Sequence, residues 1–445
     1  MSTVARISPE LVERVVSRVG TLTSPEVGRV FSSCFCDALS TTLSELDDGS
    51  LFMVTGDIPA MWLRDSTAQL APYLHFLTED PILADTVARI SRRQLAFIVE
   101  DPYANAFNAG PTGRSDHLDD VTSAGPWVWE RKYEVDSLCY PLQLAHDLWS
   151  ITGRTDHLQD HFLTAARTVV ALWQREQDHE TKSAYRFERF NAPASDTLTR
   201  DGVGPKTART GLTWSAFRPS DDACVHGFNV PGNVFAALEL GHLEQLAHEV
   251  FGEDLLAADA AALRQEIEQG LQNCAIVQNP HRPGFVYAYE VDGLGSALLM
   301  DDANVPSLLS LPLLGWCRED DPTYLATRAL VLSEANPFYF QGRFAAGVGS
   351  PHTLAGQVWP IALAVQGLTS QDLEEKRRIV DVLVATDAGA QLMHESFSVD
   401  DPKIYTRPWF SWANAMFCEL VLDVCGLRSF VRAPGLTPRR LSALT

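Results

Sequence analysis

Basic residues are scarce in this chain: 35 Lys and Arg stand against 57 Asp and Glu in 445 residues, a formal net charge of -22. A phosphate backbone needs a cationic face, so this balance argues against a nucleic-acid partner and suits a neutral or cationic ligand. Long apolar runs are absent too. No stretch approaches the roughly 18 consecutive apolar residues of a membrane span, so no membrane partner is expected. The opening MSTVARISPELVERVV carries no apolar signal core or cleavage site. A soluble, cytoplasmic protein is the resulting expectation. The eight cysteines form no CxxC pair, and most sit in apolar runs such as Phe417-Cys418 and Val424-Cys425. They read as reduced core residues rather than a disulfide framework. There is no HExxH motif, Cys/His cluster, calcium-type ligand spacing, glycine-rich phosphate loop or GxSxG elbow. Neither a metal nor a cofactor is expected.

What is present is helix, from end to end. Ser8-Pro9-Glu10 and Ser24-Pro25-Glu26 each read as a cap, a first-turn proline and an acid, and Gly20 reads as the stop of the first helix. Apolar periodicity predicts helices over 82–100, 133–149 (ending at Gly153), 157–176, 232–248, 255–272, 304–316, 323–334, 354–366, 371–386 and 410–425. Gly367 followed by Thr369-Ser370-Gln371-Asp372 reads as a stop and a new cap. About a dozen helices in a paired rhythm result, separated by long loops at 101–131, 186–231 and 336–352. FVYAYEVDG at 285–293 predicts a small hairpin turning at Asp292-Gly293. No linker or composition shift divides the chain, so one all-α domain over 1–445 is expected.

The loops hold the unusual chemistry. GDIPAMWLRDSTAQ places Arg64 and Asp65 directly after Trp62 and Leu63. WSAFRPSDDAC sets Asp221 and Asp222 beside Arg218; LLMDDANVPSLLSL carries Asp301 and Asp302; GVGSPHT carries His352; LMHESFSVDDP buries Glu395 among apolar neighbours; RPWFSWANAMF brings two tryptophans. Carboxylates, a histidine, arginines and tryptophans in loops are the ingredients of a carbohydrate site: aromatics cover the C–H faces of a sugar and charged groups bind its hydroxyls. Glycoside hydrolysis then needs two carboxyl groups in different environments. Structural readings stand beside these. Asp65 could cap the helix that follows, with Arg64 as ion partner. Asp301 and Asp302 could cap a helix at 304–316. Asp221-Asp222 could cap a helix only weakly, and His352 could be an ordinary loop histidine.

Taken together, GDIPAMWLRDSTAQ, YEVDSLCYPLQLA, FRPSDDAC, FNVPGNVFA, MDDANVPSLLSLP, NPFYFQG, GSPHT, MHESF and FSWANAMF resemble the motifs of glycoside hydrolase family 125, in the family's order, over roughly residues 27–425. The resemblance implies an (α/α)6 barrel and an inverting, metal-independent exo-α-1,6-mannosidase that acts on α-mannoside oligosaccharides such as those derived from N-glycans. It implies Glu395 as general base and a general acid in the RPSDD motif, assigned to Asp222 with Asp221 as the alternative. It also implies Arg64 and Asp65 as contacts to the terminal sugar, with His352 nearby. Trp62, Arg218, Asp221 and Asp302 are further pocket candidates, and the ARTGLTW loop (208–214) is a candidate wall on the leaving-group side. The competing expectations are an α-glucan hydrolase of glucoamylase type on the same toroid, a metal-dependent mannosidase, and a non-catalytic glycan-binding protein.

Overall fold

A computed structural model describes residues 6–159 and 161–432, and the backbone of 439–440. The absence of a signal core therefore rests partly on residues 1–5, which lie outside the described residues. Six helical hairpins close into a ring. The inner helices are Leu63–Ala68 with Ala71–Leu74, then Val135–Thr152, Val230–Glu249, Leu311–Leu314, Pro360–Leu368 and Ser411–Val424. The outer helices are Pro25–Thr41, Pro81–Glu100, Phe162–Glu176, Asp254–Cys274, Pro322–Val331 and Leu373–Ala385. Ser411–Val424 packs against Pro360–Leu368 on one side and against the 63–74 helices on the other, which closes the circle. The architecture is the expected (α/α) toroid. Among the described residues, no helix is long and apolar enough to cross a membrane.

Burial explains why outer and inner helices read so differently in sequence. Asp254–Cys274 buries Leu256, Ala260, Leu263, Ile267 and Leu271, an apolar stripe at helical spacing facing the ring. Ser411–Val424 buries every residue from Ser411 to Leu422, because it has neighbours all round. The inner helices start next to the site. Short strands lead into them: Met61–Trp62 pairs with Ala106–Phe107, Phe228–Asn229 with Glu290–Val291, and Gln357–Val358 with Ser396–Ser398. The helix N-termini at that end bring a partial positive charge, which suits a site rich in carboxylates.

Two expectations need correction. Gly20 does not stop the first helix, which runs Pro9–Leu22. A Cβ on Gly28 would lie 3.3 Å from Gly20 Cα, so Gly28 lets the first two helices approach closely. Gly367 stands one residue before the end of Pro360–Leu368, where a Cβ would meet Leu420 at 2.7 Å, and the new cap follows as expected, with Asp372 accepting the Glu374 N–H. The helix expected at 304–316 shrinks to Leu311–Leu314. Asp301 sits ahead of it and accepts the N–H groups of Leu308 and Leu309 at 2.8 and 2.9 Å, organising a loop rather than capping a long helix. Burial pushes the Asp301 carboxyl up to about 7 against those two bonds. The hairpin turn at Asp292-Gly293 is present, linking Glu290–Val291 to Ala297–Leu298, while Phe285–Tyr287 pairs separately with Ile276–Gln278. All eight cysteines are free; Cys34, Cys139, Cys224 and Cys418 are buried, but Cys36 is exposed.

Gly56 fixes the entry to the first inner helix. Its φ is +139°, and a Cβ there would lie 2.6 Å from the Trp409 carbonyl oxygen. Gly56→Ala should destabilise the fold by about 1–3 kcal/mol through backbone strain alone, seen as a lower urea midpoint. An unchanged midpoint would show that this close approach is dispensable.

Candidate active site

The floor of the site is one guanidinium. Arg64, in the first turn of Leu63–Ala68, is 3% exposed. Its Nη1 donates to Glu134 Oε2 at 2.6 Å and to Asp136 Oδ2 at 3.4 Å, its Nη2 donates to Asp221 Oδ1 at 3.1 Å, and its Nε lies 3.4 Å from Asp65 Oδ1. Four carboxylates from three segments thus converge on one cation, which also lies 5.7 Å from the Trp412 ring centre. Burial opposes the charge on Arg64, but Glu134, Asp221, Asp136 and Asp65 together raise it well above its ordinary value. Burial also raises Asp65 and pushes Asp136 up to about 6. Glu134 is raised well above the usual range by burial, with the charge of Asp221 adding to it. Burial acts on Asp221 in the same direction, yet Arg64, the Glu134 contact and Lys132 draw it well below that range.

Asp65 does not cap its helix. The cap position is Trp62, which makes no side-chain cap bond. The Asp65 carboxylate instead accepts the Thr55 hydroxyl and faces Arg64.

A tight turn presents the paired aspartates. Asp221 N–H donates to the Arg218 carbonyl at 2.9 Å, Arg218 N–H donates to the Asp222 carbonyl at 2.7 Å, and Lys132 Nζ donates to the Asp221 carbonyl at 2.8 Å. Asp221 has φ +67°, a conformation uncommon outside glycine. The result is that neighbouring side chains part company. Asp221 turns to Arg64, while Asp222 faces Ser220 Oγ at 3.2 Å and His352 Nδ1 at 3.8 Å. Burial opposes the charge on His352, but Asp222 raises it to about 9.

Two cavities meet here. The central one, about 210 Å³, is lined by Arg64, Asp65, Asn304, Glu395, Arg407 and Trp412 among others. The outer one, about 310 Å³, is lined by Trp129, Lys132, Arg189, Asp196 and Asp222 among others. Ile58, Trp62, Asp221 and His352 belong to both. Glu395 immediately precedes the strand Ser396–Ser398, and Arg407 Nη1 lies 3.7 Å from its Oε1. Arg407 is itself anchored by Asp57 at 2.9 Å.

The structure therefore brings Trp62, Arg64, Asp65, Asp221, Asp222, His352 and Glu395 together. Two pocket candidates lie outside both cavities. Arg218 donates to Glu290 at 2.5 Å and stacks over Tyr289, and Asp302 is 1% exposed behind the Asp222 turn. The 208–214 loop also lines neither cavity: Ala208 N–H donates to the Asp292 carbonyl, and Gly211 lies against Glu266 of the Asp254–Cys274 helix. Sequence reasoning passed over Thr55, Glu134, Asp136, Asn304, Trp359 and Arg407. Glu134 and Asp136 had a visible signal, since two acids at the start of a buried helix have no solvent to face.

The sequence profile of the metal-independent α-mannosidases (GH125) matches residues 24–422. A Streptococcus pneumoniae metal-independent α-mannosidase, solved as a non-productive complex with α-1,6-mannobiose, is 49% identical, covers 95% of this chain and 100% of its own, and superposes with a TM-score of 0.93. The meiotically up-regulated gene 157 protein of Schizosaccharomyces pombe is 39% identical over 425 residues, 91% of this chain and 83% of its own. A bacterial glucoamylase complexed with acarbose shares the fold at 14% identity and a TM-score of 0.53, over 83% of this chain and 49% of its own. Its toroid is common ground, but it says nothing about which sugar is cleaved here. With the profile running through the Arg64, Asp222 and Glu395 segments alike, this chain belongs to the metal-independent α-mannosidases of glycoside hydrolase family 125.

Proposed function

We propose that the protein is an exo-acting, inverting α-1,6-mannosidase that removes the non-reducing terminal mannose of oligosaccharides such as those released from N-glycans. The observation that carries this reading is the pair of joined cavities. The central cavity is smaller than the roughly 300 Å³ and upward of ordinary ligand pockets, which suits one sugar ring and hence exo action. The outer cavity then takes the rest of the glycan. The relative bound to α-1,6-mannobiose supports the sugar and the linkage.

In this reading Arg64 and Asp65 bind the hydroxyls of the terminal mannose, and Trp359, Phe410 and Trp412 exclude water around it. Glu395, in the central cavity, takes a proton from the attacking water. Asp222, in the outer cavity, gives one to the departing oxygen. The charge on Asp221 favours Asp222 as the acid: a carboxylate held ionised by Arg64 has no proton to donate at neutral pH. Inversion requires the two catalytic carboxyl groups to stand about 6.5–9.5 Å apart, leaving room for the water.

Hydrolysis of a panel of linkage-defined mannobioses tests the reading, with rapid release of mannose expected from the α-1,6 isomer. Equal cleavage of α-1,2 and α-1,3 isomers, or cleavage of α-glucosides alone, would overturn it. Asp222→Asn and Glu395→Gln should each lower kcat on α-1,6-mannobiose by roughly 10²–10⁴-fold while thermal unfolding stays cooperative; near wild-type turnover in Asp222→Asn would move the acid to Asp221. Asp65→Asn should lower kcat/KM about tenfold or more, the scale of a lost hydrogen bond to a charged group. An unchanged kcat/KM would remove Asp65 from the sugar contacts.

A further inference from the structure

Asp302 lies against the turn that carries Asp222, yet it touches neither cavity. It stands one hydroxyl away from the acid: Ser220 Oγ is 2.7 Å from Asp302 Oδ2 and 3.2 Å from Asp222 Oδ2. A serine hydroxyl has a single proton to donate. The shorter contact directs it to Asp302, whose Oδ1 also accepts the Ala303 N–H at 2.7 Å. Asp302 thus has two donors at hydrogen-bonding distance. Asp222 Oδ2 is left with His352 at 3.8 Å, beyond hydrogen-bonding distance.

Two buried carboxyl groups this close are not easily ionised together. Burial and the charge of Asp222 both push the Asp302 carboxyl up. The Ser220 and Ala303 donors work the other way and favour the charge on Asp302. We propose that Asp302 is a positioning residue for the acid, a role that rests on the reading of Asp222 above: its carboxylate, held against Asp222 through Ser220, keeps on Asp222 the proton that the leaving group takes. The other groups facing Asp222 are His352 from the 349–356 loop and the adjacent Asp221; Arg218, whose charge acts on Asp302, is paired with Glu290. His352 and Asp302 thus flank Asp222 from two sides. As the C1–O bond breaks, its electron pair goes to the leaving oxygen, which takes the Asp222 proton. Water adds to C1 and passes its proton to Glu395. The Ser220 hydroxyl then rotates from Asp302 to the new Asp222 carboxylate.

The test compares two substrates across pH. α-1,6-Mannobiose needs a proton on its leaving group, whereas dinitrophenyl α-mannoside does not. Removing the negative charge lets Asp222 ionise at lower pH. Asp302→Asn should therefore move the alkaline limb of kcat/KM on mannobiose down by roughly one pH unit. At neutral pH its loss on mannobiose should exceed its loss on the aryl mannoside by about tenfold. Ser220→Ala should shift the limb the same way, and Ser220→Thr, which keeps the hydroxyl, should restore it. A limb that stays in place in Asp302→Asn, or equal losses on both substrates, would overturn the proposal. Asp222→Asn serves as the reference: if it fails to discriminate between the substrates, the acid assignment itself falls.

Discussion

Everything at the mouth of this ring is arranged around the burial of Arg64. A guanidinium that is almost fully removed from water must be matched by anions, and breaking such a pairing from one side costs about 3–5 kcal/mol. The match here comes from Asp65 on its own helix, from Glu134 and Asp136 at the start of the next inner helix, and from Asp221 on a loop. The cation therefore ties together segments more than 150 positions apart in sequence. It also sets how those carboxyls differ: Asp221 is drawn well below the usual carboxylate range, while burial pushes Glu134 above it.

Adjacent aspartates on a flexible loop would be interchangeable. Here the turn at Asp221 points one at Arg64 and the other at Ser220 and His352, so two neighbouring carboxyls have different surroundings. Glu395 enters from the far side of the chain on a strand paired with Gln357–Val358 and Tyr405–Thr406, with Arg407 beside it. Asp222 and Glu395 therefore line different cavities of the joined site.

The outer helices were legible because each is amphipathic, with one dry stripe. Long inner helices such as Val230–Glu249 and Ser411–Val424 were legible too, but the short ones, Leu63–Ala68, Ala71–Leu74 and Leu311–Leu314, span too few turns for periodicity to show. Gly20 looked like a helix stop because glycine usually breaks helices, but its helix runs on to Leu22; Gly367 does stand at a helix end, packed close against Leu420. The 304–316 segment has an apolar composition but is held as a loop by Asp301 and its bonds to Leu308 and Leu309. The paired carboxyls, His352 and the Arg64-Asp65 pair were legible as a group, since such residues in apolar loops demand partners. Asp302 and Arg218 shared that signature but serve behind the pocket, and only three-dimensional contacts separate the two roles.

The central claim is that acid and base act from opposite walls on a single terminal mannose. Proton NMR of the first minutes of α-1,6-mannobiose hydrolysis tests it directly, because the anomeric signal of the new mannose appears before mutarotation. The account predicts β-mannose first, with the α-anomer growing in later. Initial release of α-mannose would contradict it.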